Sequence, residues 1–248
     1  MISQPQIINY PFPIDFKKWK VFQNRRYMPE VKVLQKVLAS NNALALTHRK
    51  IFDQNSVTTI NIMSAPGSGK TSLLEQTIER MKNNKRIFVI EGDIKGDLDA
   101  KRVLKMGVNC IQINTQGACH LDGFMLSQVL PKIDLRKIDL LFVENVGNLV
   151  CPAEFDLGTH YNVMILSTPE GSDKPIKYPL MFSKADLLII NKIDLLPYVQ
   201  FDFDGLVKSL KKLNPKLNLI KLSCKSGNGI NDWINWLETK LYKRKDKK

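Results

Sequence analysis

Cysteine is scarce in this chain. Cys110, Cys119, Cys151 and Cys224 are spread over 248 residues, too few and too scattered for a disulfide scaffold. Long apolar runs are missing too. None approaches the ~18 residues needed to span a bilayer, and residues 1–20 lack the compact apolar stretch of a secretory signal, so a cytoplasmic location with no membrane contact is expected. There is no internal repeat, and low complexity is confined to the basic C-terminal stretch. Acidic residues are in deficit: 24 Asp plus Glu face 37 Lys plus Arg, and the formal charge of +13 favours anionic partners such as nucleotides, acidic proteins or nucleic acid. Charge alone does not choose among them. With 44% hydrophobic and 25% charged residues, the composition is that of a globular chain able to bury one sizeable core.

Residues 1–29 carry Pro5, Pro11, Pro13 and Pro29 among isolated aromatics with no usable period, which reads as an extended arm. Over 30–55, Val31, Leu34, Leu38, Leu44, Leu46, Ile51 and Phe52 predict one or two amphipathic helices packed on the body, with a break near Ser40-Asn41-Asn42. Residues 56–242 then alternate short apolar runs with helical stretches, the sequence form of a βαβ array around a buried parallel sheet. Strands are predicted at 57–63, 86–91, 109–113, 138–144, 162–167, 186–190 and 218–223. Helices are predicted at 70–82, 97–106, 121–131, 176–184, 203–213 and 229–241. Right-handed crossovers would bring the helix starts to the carboxyl edge of the sheet, where chemistry belongs. Residues 243–248 close the chain as a solvated basic tail.

The first strand runs into Ser64-Ala65-Pro66-Gly67-Ser68-Gly69-Lys70-Thr71, followed by Ser72 and a helix. This is a Walker A phosphate loop in its strand-loop-helix setting, with Ser64 where the usual pattern has Gly. Backbone N–H groups of residues 67–72 can wrap phosphate oxygens at a positive helix end, Lys70 supplies charge to the β and γ phosphates, and Thr71 offers a hydroxyl to magnesium. The sixth strand ends in Asn191-Lys192-Ile193-Asp194. A carboxylate at Asp194 accepts from N1–H and the exocyclic amine of guanine, whereas adenine offers no matching donor pair. The expected ligand is therefore GTP. Asn191 would link the base edge to the phosphate loop, the Lys192 stem would cover the base or ribose, and Ser223-Cys224-Lys225 would close on the base through backbone N–H groups. Cys224 itself reads as a small packed thiol.

Hydrolysis needs acidic groups for magnesium and a loop that senses the γ phosphate. Glu91-Gly92-Asp93 and Asp99 supply acids after the second strand, and Glu144-Asn145-Val146-Gly147 resembles the Asp-x-x-Gly element of GTPases with Glu in place of Asp. Asp93 is the expected magnesium contact beside Thr71. Asp99 or Glu144 would serve outer-sphere or water-positioning roles, and Asp97 reads as a helix cap.

Cys119 and His120 are adjacent just past the third strand, and Cys151 follows Gly147 by four residues. Four extended residues reach no more than about 14 Å, so a loop movement driven by the γ phosphate must be felt at Cys151. Two thiolates and an imidazole suit zinc or nickel rather than magnesium or calcium, and a two-fold dimer could complete the coordination. The competing account has Cys119 and Cys151 merely packed, in a GTP-dependent protein-binding switch that serves another metalloprotein or cofactor enzyme. Nucleic-acid binding rests only on charge and the Lys-rich tail, with no aromatic reading motif. Cys110 lies in an apolar strand and reads as core.

From about Glu30 to the final helix the sequence resembles the HypB family of hydrogenase and urease maturation GTPases, nickel-incorporation proteins of the signal-recognition and MinD-like branch of P-loop GTPases. The resemblance is carried by residues 64–71, by Glu91-Gly92-Asp93 with Asp99-Ala100, by 119–122, 144–152 and 170–175, and by 191–194. It implies an α/β P-loop NTPase fold, a mostly parallel sheet flanked by helices with an N-terminal helical extension. It also implies slow GTP hydrolysis, GTP-linked homodimerisation, and a shared nickel or zinc site of Cys119, His120 and Cys151. A partner nickel metallochaperone of the HypA kind would pass the metal toward the large subunit of a [NiFe] hydrogenase and, in some organisms, toward urease. Many relatives carry a Cys-rich motif or His-rich tract at the amino end. Residues 1–47 contain neither Cys nor His, so no second nickel store is expected on the arm.

Overall fold

The computed structural model describes residues 33–94 and 96–245, with the side chains of 35–94 and 96–241. The expected arm over 1–29 and the end of the basic tail, 246–248, lie outside the described residues. The chain divides into two units, Met1–Gln35 and Lys36–Lys248, and the sheet with all the sites belongs to the second.

Seven strands, β1 (Thr58–Ser64), β2 (Ile87–Asp93), β3 (Asn109–Asn114), β4 (Leu140–Glu144), β5 (Tyr161–Ser167), β6 (Leu187–Asn191) and β7 (Asn218–Lys221), form one sheet in the order β3-β2-β4-β1-β5-β6-β7. Every pairing is parallel. Strands β1, β4 and β6 are buried at every position; β4 and β6 accordingly read as apolar runs, 140–143 and 187–190, whereas β1 buries Thr58, Thr59, Asn61 and Ser64 beside its apolar residues. The edge strands β3 and β7 are mostly half-buried or exposed.

Helices α1 (Val33–Gln54), α2 (Lys70–Met81), α3 (Leu98–Lys105), α4 (Gly123–Val129), α5 (Lys174–Lys177), α6 (Pro179–Ser183), α7 (Phe203–Leu213) and α8 (Ile230–Lys245) cover both faces. Successive strand residues point to opposite faces. Ile60, Ile62, Val89 and Phe142 meet Leu73, Ile78, Val103, Trp233 and Leu237 of α2, α3 and α8. Ile90, Leu141 and Val143 meet Phe52 of α1 and Leu126 of α4, while Met63, Met164 and Leu188 meet Phe182, Leu206 and Leu210. Complete burial of each large side chain, Phe142 for example, contributes roughly 1.5–3 kcal/mol.

Three details depart from the sequence-based expectations. Helix α1 has no break at Ser40-Asn41-Asn42. The Asn41 carboxamide does not compete with its own backbone, because it accepts from Gly123 N and donates to Asp156 O, at 2.7 and 2.8 Å. The predicted helix 176–184 is two short helices that meet at Pro179, whose missing N–H cannot continue the α5 ladder. Helix α8 continues to Lys245, so the first residues of the expected tail are helical. No described helix is long and apolar enough to cross a membrane.

Candidate functional site

Parallel connections bring the ends of β1, β2, β4, β5 and β6 to one edge. Strand β1 is flanked by β4 on one side and β5 on the other, the crevice where open α/β sheets bind ligands. The phosphate loop 64–69 leaves β1 there and enters α2 at Lys70. Gly69 sits at φ +106°, and a Cβ on it would fall 2.3 Å from Asn191 Nδ2. Only glycine lets β6 approach the loop this closely. The Asn191 side chain uses that space to donate to Ser68 O at 2.8 Å, and its Oδ1 accepts from Lys192 N and Cys224 N. Lys192, itself left-handed at φ +62°, reaches across with Nζ 2.6 Å from Gly67 O. Asp194 accepts from Ser223 Oγ at 2.5 Å. Gly69, Asn191, Lys192, Asp194 and Cys224, with Ser72, Glu75, Leu195 and Lys225, line a cavity of about 390 Å³. A base and ribose fit such a volume, with Asp194 and Lys192 on its wall.

Cys224 is half-buried against the core beside this cavity, and burial pushes its thiol up to about 11. Glu170 adds a contact that periodicity does not reveal. Its Oε1 accepts from Ser68 Oγ, Ser167 N and Ser167 Oγ, at 2.7, 2.8 and 2.6 Å, tying the phosphate loop to the end of β5.

On the other side of the loop lies an acidic cluster. Glu91 and Glu144 stand at matching register on β2 and β4, and with Asp99 they bring carboxylate oxygens within 4.8 Å of one another. Thr71 Oγ1 donates to Glu144 Oε1 at 2.8 Å, and Lys70 Nζ lies 3.4 Å from Ser64 Oγ. Both glutamates are almost completely buried, and Oε2 of each lacks a partner among the described residues. Burial raises the pKa of both groups; for Glu91 the neighbouring Glu144 and Asp99 charges add to the rise, and for Glu144 the charge of Lys70 opposes it. A shared proton or a hard cation would satisfy this pair, and Thr71 supplies a further oxygen ligand. The Asp93 carboxylate accepts from Ile94 N and Gly96 N, at 2.6 and 3.0 Å, and so caps its own turn. Glu91 occupies the position beside Thr71's partner. Asp99 also pairs with Arg102 at 3.0 Å. Asp97 takes the N-cap position of α3 without a side-chain bond to the helix backbone and pairs instead with the Lys101 side chain of the same helix.

The segment after β4 touches the phosphate loop directly. A Cβ on Gly147 would come within 2.9 Å of Pro66 N and Cα, so this glycine lets the two backbones meet. Beyond it, Asn148 Oδ1 accepts from Val150 N and Cys151 N, at 2.6 and 3.1 Å, and sets the turn that presents Cys151. From the other direction, the 115–118 turn after β3 delivers Cys119 and His120. The ligand atoms of Cys119, His120 and Cys151 lie within 4.8 Å of one another, and the two Sγ atoms are 2.7 Å apart. Both thiols are free. The His120 ring stacks on Phe155 with centroids 3.9 Å apart, which fixes its orientation. Burial lowers the His120 pKa, keeping the ring in the neutral form that ligates metals, whereas the Cys119 hydrogen bond is the first cause that pushes the Cys151 thiol up to about 11. Two sulfurs and one imidazole on half-exposed loops form a soft, three-ligand set with an open side. Cys110, in contrast, is half-buried in β3 and pushed up to about 12 by burial, and it lies outside this group.

A phosphate loop at the centre of a doubly wound parallel sheet, with a base cavity on one flank and acids on the other, defines a P-loop nucleotide-binding protein. Residues 58–221 match the CobW/HypB/UreG nucleotide-binding domain. Over 216 residues the chain is 45% identical to the hydrogenase maturation factor HypB of Escherichia coli K12, a span covering 87% of this chain and 74% of that protein. Two solved structures resemble it as well. HypB from Helicobacter pylori in complex with nickel gives a TM-score of 0.77 at 36% identity, covering 82% of this chain and 96% of that one. HypB from Archaeoglobus fulgidus gives 0.76 at 40% identity, covering 82% and 99%. The chain belongs to the HypB branch of the CobW/HypB/UreG family.

Proposed function

We propose that this protein is a GTP-hydrolysing nickel metallochaperone that assists nickel insertion during hydrogenase maturation. The observation that carries the reading is the gathering of Cys119, His120 and Cys151 on two loops, one of which begins at the Glu144–Gly147 segment against the phosphate loop. The names of the relatives support the same role, and the nickel complex of one of them supports the metal. Nickel is then the cargo, held by two sulfurs and a ring nitrogen, and zinc suits the same donors.

In this reading Asp194 selects guanine, Asn191, Lys192 and the 223–225 loop frame the base, and Gly67, Ser68, Gly69 and Ser72 line the phosphates with Lys70. Pro66 holds the loop against Gly147, which senses the γ phosphate. A bound Mg2+ would be held by Thr71 with Glu144 and Glu91 and would offset phosphate charge. Asp99 stands close enough to orient water, and Asp93 would contact the same ion directly or through water. Hydrolysis resets the 144–151 segment and with it the Cys151 arm. The open side of the three-ligand set favours completion by a second subunit, hence a GTP-linked homodimer, and delivery to a hydrogenase precursor through a partner metallochaperone.

Nickel titration of the purified full chain tests the reading. Wild type should bind nickel stoichiometrically, whereas Cys119→Ala and Cys151→Ala should each lower affinity by on the order of a hundredfold with GTP binding within about twofold. Unchanged nickel stoichiometry in either variant would sink the site assignment. Light scattering with a non-hydrolysable GTP analogue tests the dimer: a mass that stays monomeric removes it.

A further inference from the structure

We propose that Asn145 is a positioning residue that transmits nucleotide state to the Cys119–His120 arm of the metal site. This rests on the reading of the protein as a nucleotide-gated metal carrier. The chain tether from Gly147 accounts for Cys151 alone, since Cys119 and His120 arrive from β3 on a separate turn. Asn145 supplies the missing link. It follows Glu144, whose carboxylate holds Thr71 of the phosphate loop, and its side chain is fully buried. Its Oδ1 accepts from Leu121 N, the residue next to His120, and from its neighbour Val146 N, both at 3.0 Å. One carboxamide thus joins the γ-phosphate segment to the backbone of the second ligand arm.

The surroundings turn that bond into a lever. Leu121 is itself fully buried and seated on Gly92, where a Cβ would lie 2.7 Å from its methyl carbon. Two residues further on, Gly123 N is pinned to Asn41 Oδ1, and the same Asn41 holds Asp156 O beyond Cys151. Helix α1 therefore anchors the far end of both ligand loops, and displacement of the 144–147 segment is concentrated at Leu121, Cys119 and His120. The Oδ1 of Asn145 is set by its two backbone donors, and its Nδ2 joins a row of asparagines across the sheet, donating to Asn61 Oδ1 at 3.2 Å, while Asn61 Nδ2 donates to Asn162 Oδ1 at 3.1 Å. This row gives a structural control. Asn61→Ala removes the support without touching the Leu121 bond.

The experiment measures nickel(II) affinity of the full chain loaded with GDP and with a non-hydrolysable GTP analogue, following thiolate-to-nickel charge-transfer absorption. Wild type should show affinities that differ by on the order of tenfold between the two nucleotide states. Asn145→Ala should bring that ratio within about twofold while nucleotide affinity holds, and Asn61→Ala should lower thermal stability yet keep the ratio. A wild-type ratio retained in Asn145→Ala overturns the proposal, as does a wild type whose nickel affinity ignores nucleotide. A wild type that binds no nickel overturns instead the functional reading beneath it. Should Asn145→Ala fail to fold, the amide resonance of Leu121 in the metal-free wild type decides: it should shift when GDP is exchanged for the analogue, and an unmoved Leu121 amide overturns the proposal.

Discussion

The two flanks of the phosphate loop are built on opposite principles. On the base side, Asn191, Lys192, Asp194, Ser223 and Glu170 are held by hydrogen bonds to one another's loops, so the recognition surface is set by the protein itself. On the metal side, Glu91 and Glu144 are buried side by side with oxygens unmatched, and Cys119 and Cys151 present adjacent sulfurs. A pre-organised surface discriminates among ligands with little rearrangement. An under-satisfied one gains most from a cation and is altered most by it. Selectivity belongs to the first flank and response to the second.

The largest expected effect lies on the preset flank. Asp194→Asn places an amide where guanine needs two acceptors, and the preference for GTP over ATP should fall by on the order of 10³-fold, because the loss leaves buried donors unpaired. Competitive binding of the two nucleotides measures it. Equal affinities in the unaltered protein would erase the contrast between the flanks, since the base side would then select nothing.

A smaller effect should appear on the responsive flank, as a gain in stability. Glu91→Gln keeps shape while removing one of two carboxyls that share a buried space, so thermal or urea unfolding without added cation should show a gain of about 1–3 kcal/mol. GTP turnover should drop more than tenfold, since an oxygen ligand beside Thr71 is weakened. A destabilised Glu91→Gln would mean that the pair is satisfied within the protein and that the two flanks do not differ in kind.

Most of the frame was legible in the sequence, and the gaps have a common cause. The buried strands β4 and β6 announce themselves as apolar runs, and the phosphate loop and the 191–194 string are local patterns with fixed mechanics. Glu91 was not singled out because its importance comes from standing opposite Glu144, a pairing across 53 residues of sequence that no local period encodes. Asn41 was misread as a helix break for the same reason: its partners, Gly123 and Asp156, are distant in sequence. The two backbone N–H partners of Asp93, Ile94 and Gly96, belong to the turn after β2, which the string Glu91-Gly92-Asp93 does not announce.

The smallest effect sharpens the comparison by asking how the responsive flank is anchored. His48 of α1 is buried between Leu157 O, 3.1 Å from Nδ1, and Ser127 Oγ, 2.8 Å from Nε2. A neutral ring protonated on Nδ1 donates to the Leu157 carbonyl, and Nε2 lies beside the Ser127 hydroxyl, which itself donates to Gly123 O at 2.8 Å. Burial is the main reason its pKa is lowered from 6.5, with Leu157 O and Asp156 opposing. The folded chain therefore binds this proton less readily than the unfolded one. Its contribution is whole above the ordinary histidine value and is lost as pH falls below about 6.5, at a rate bounded by about 1.4 kcal/mol per pH unit. Urea unfolding at pH 7.5 and 5.5 should show that decline in wild type and a shallower one in His48→Gln. Because His48 ties α1 to the segments that follow both ligand arms, acid should also weaken nickel binding more in wild type than in the variant, while GTP selectivity stays unchanged in both. Selectivity that declined in parallel would show that the anchor serves both flanks.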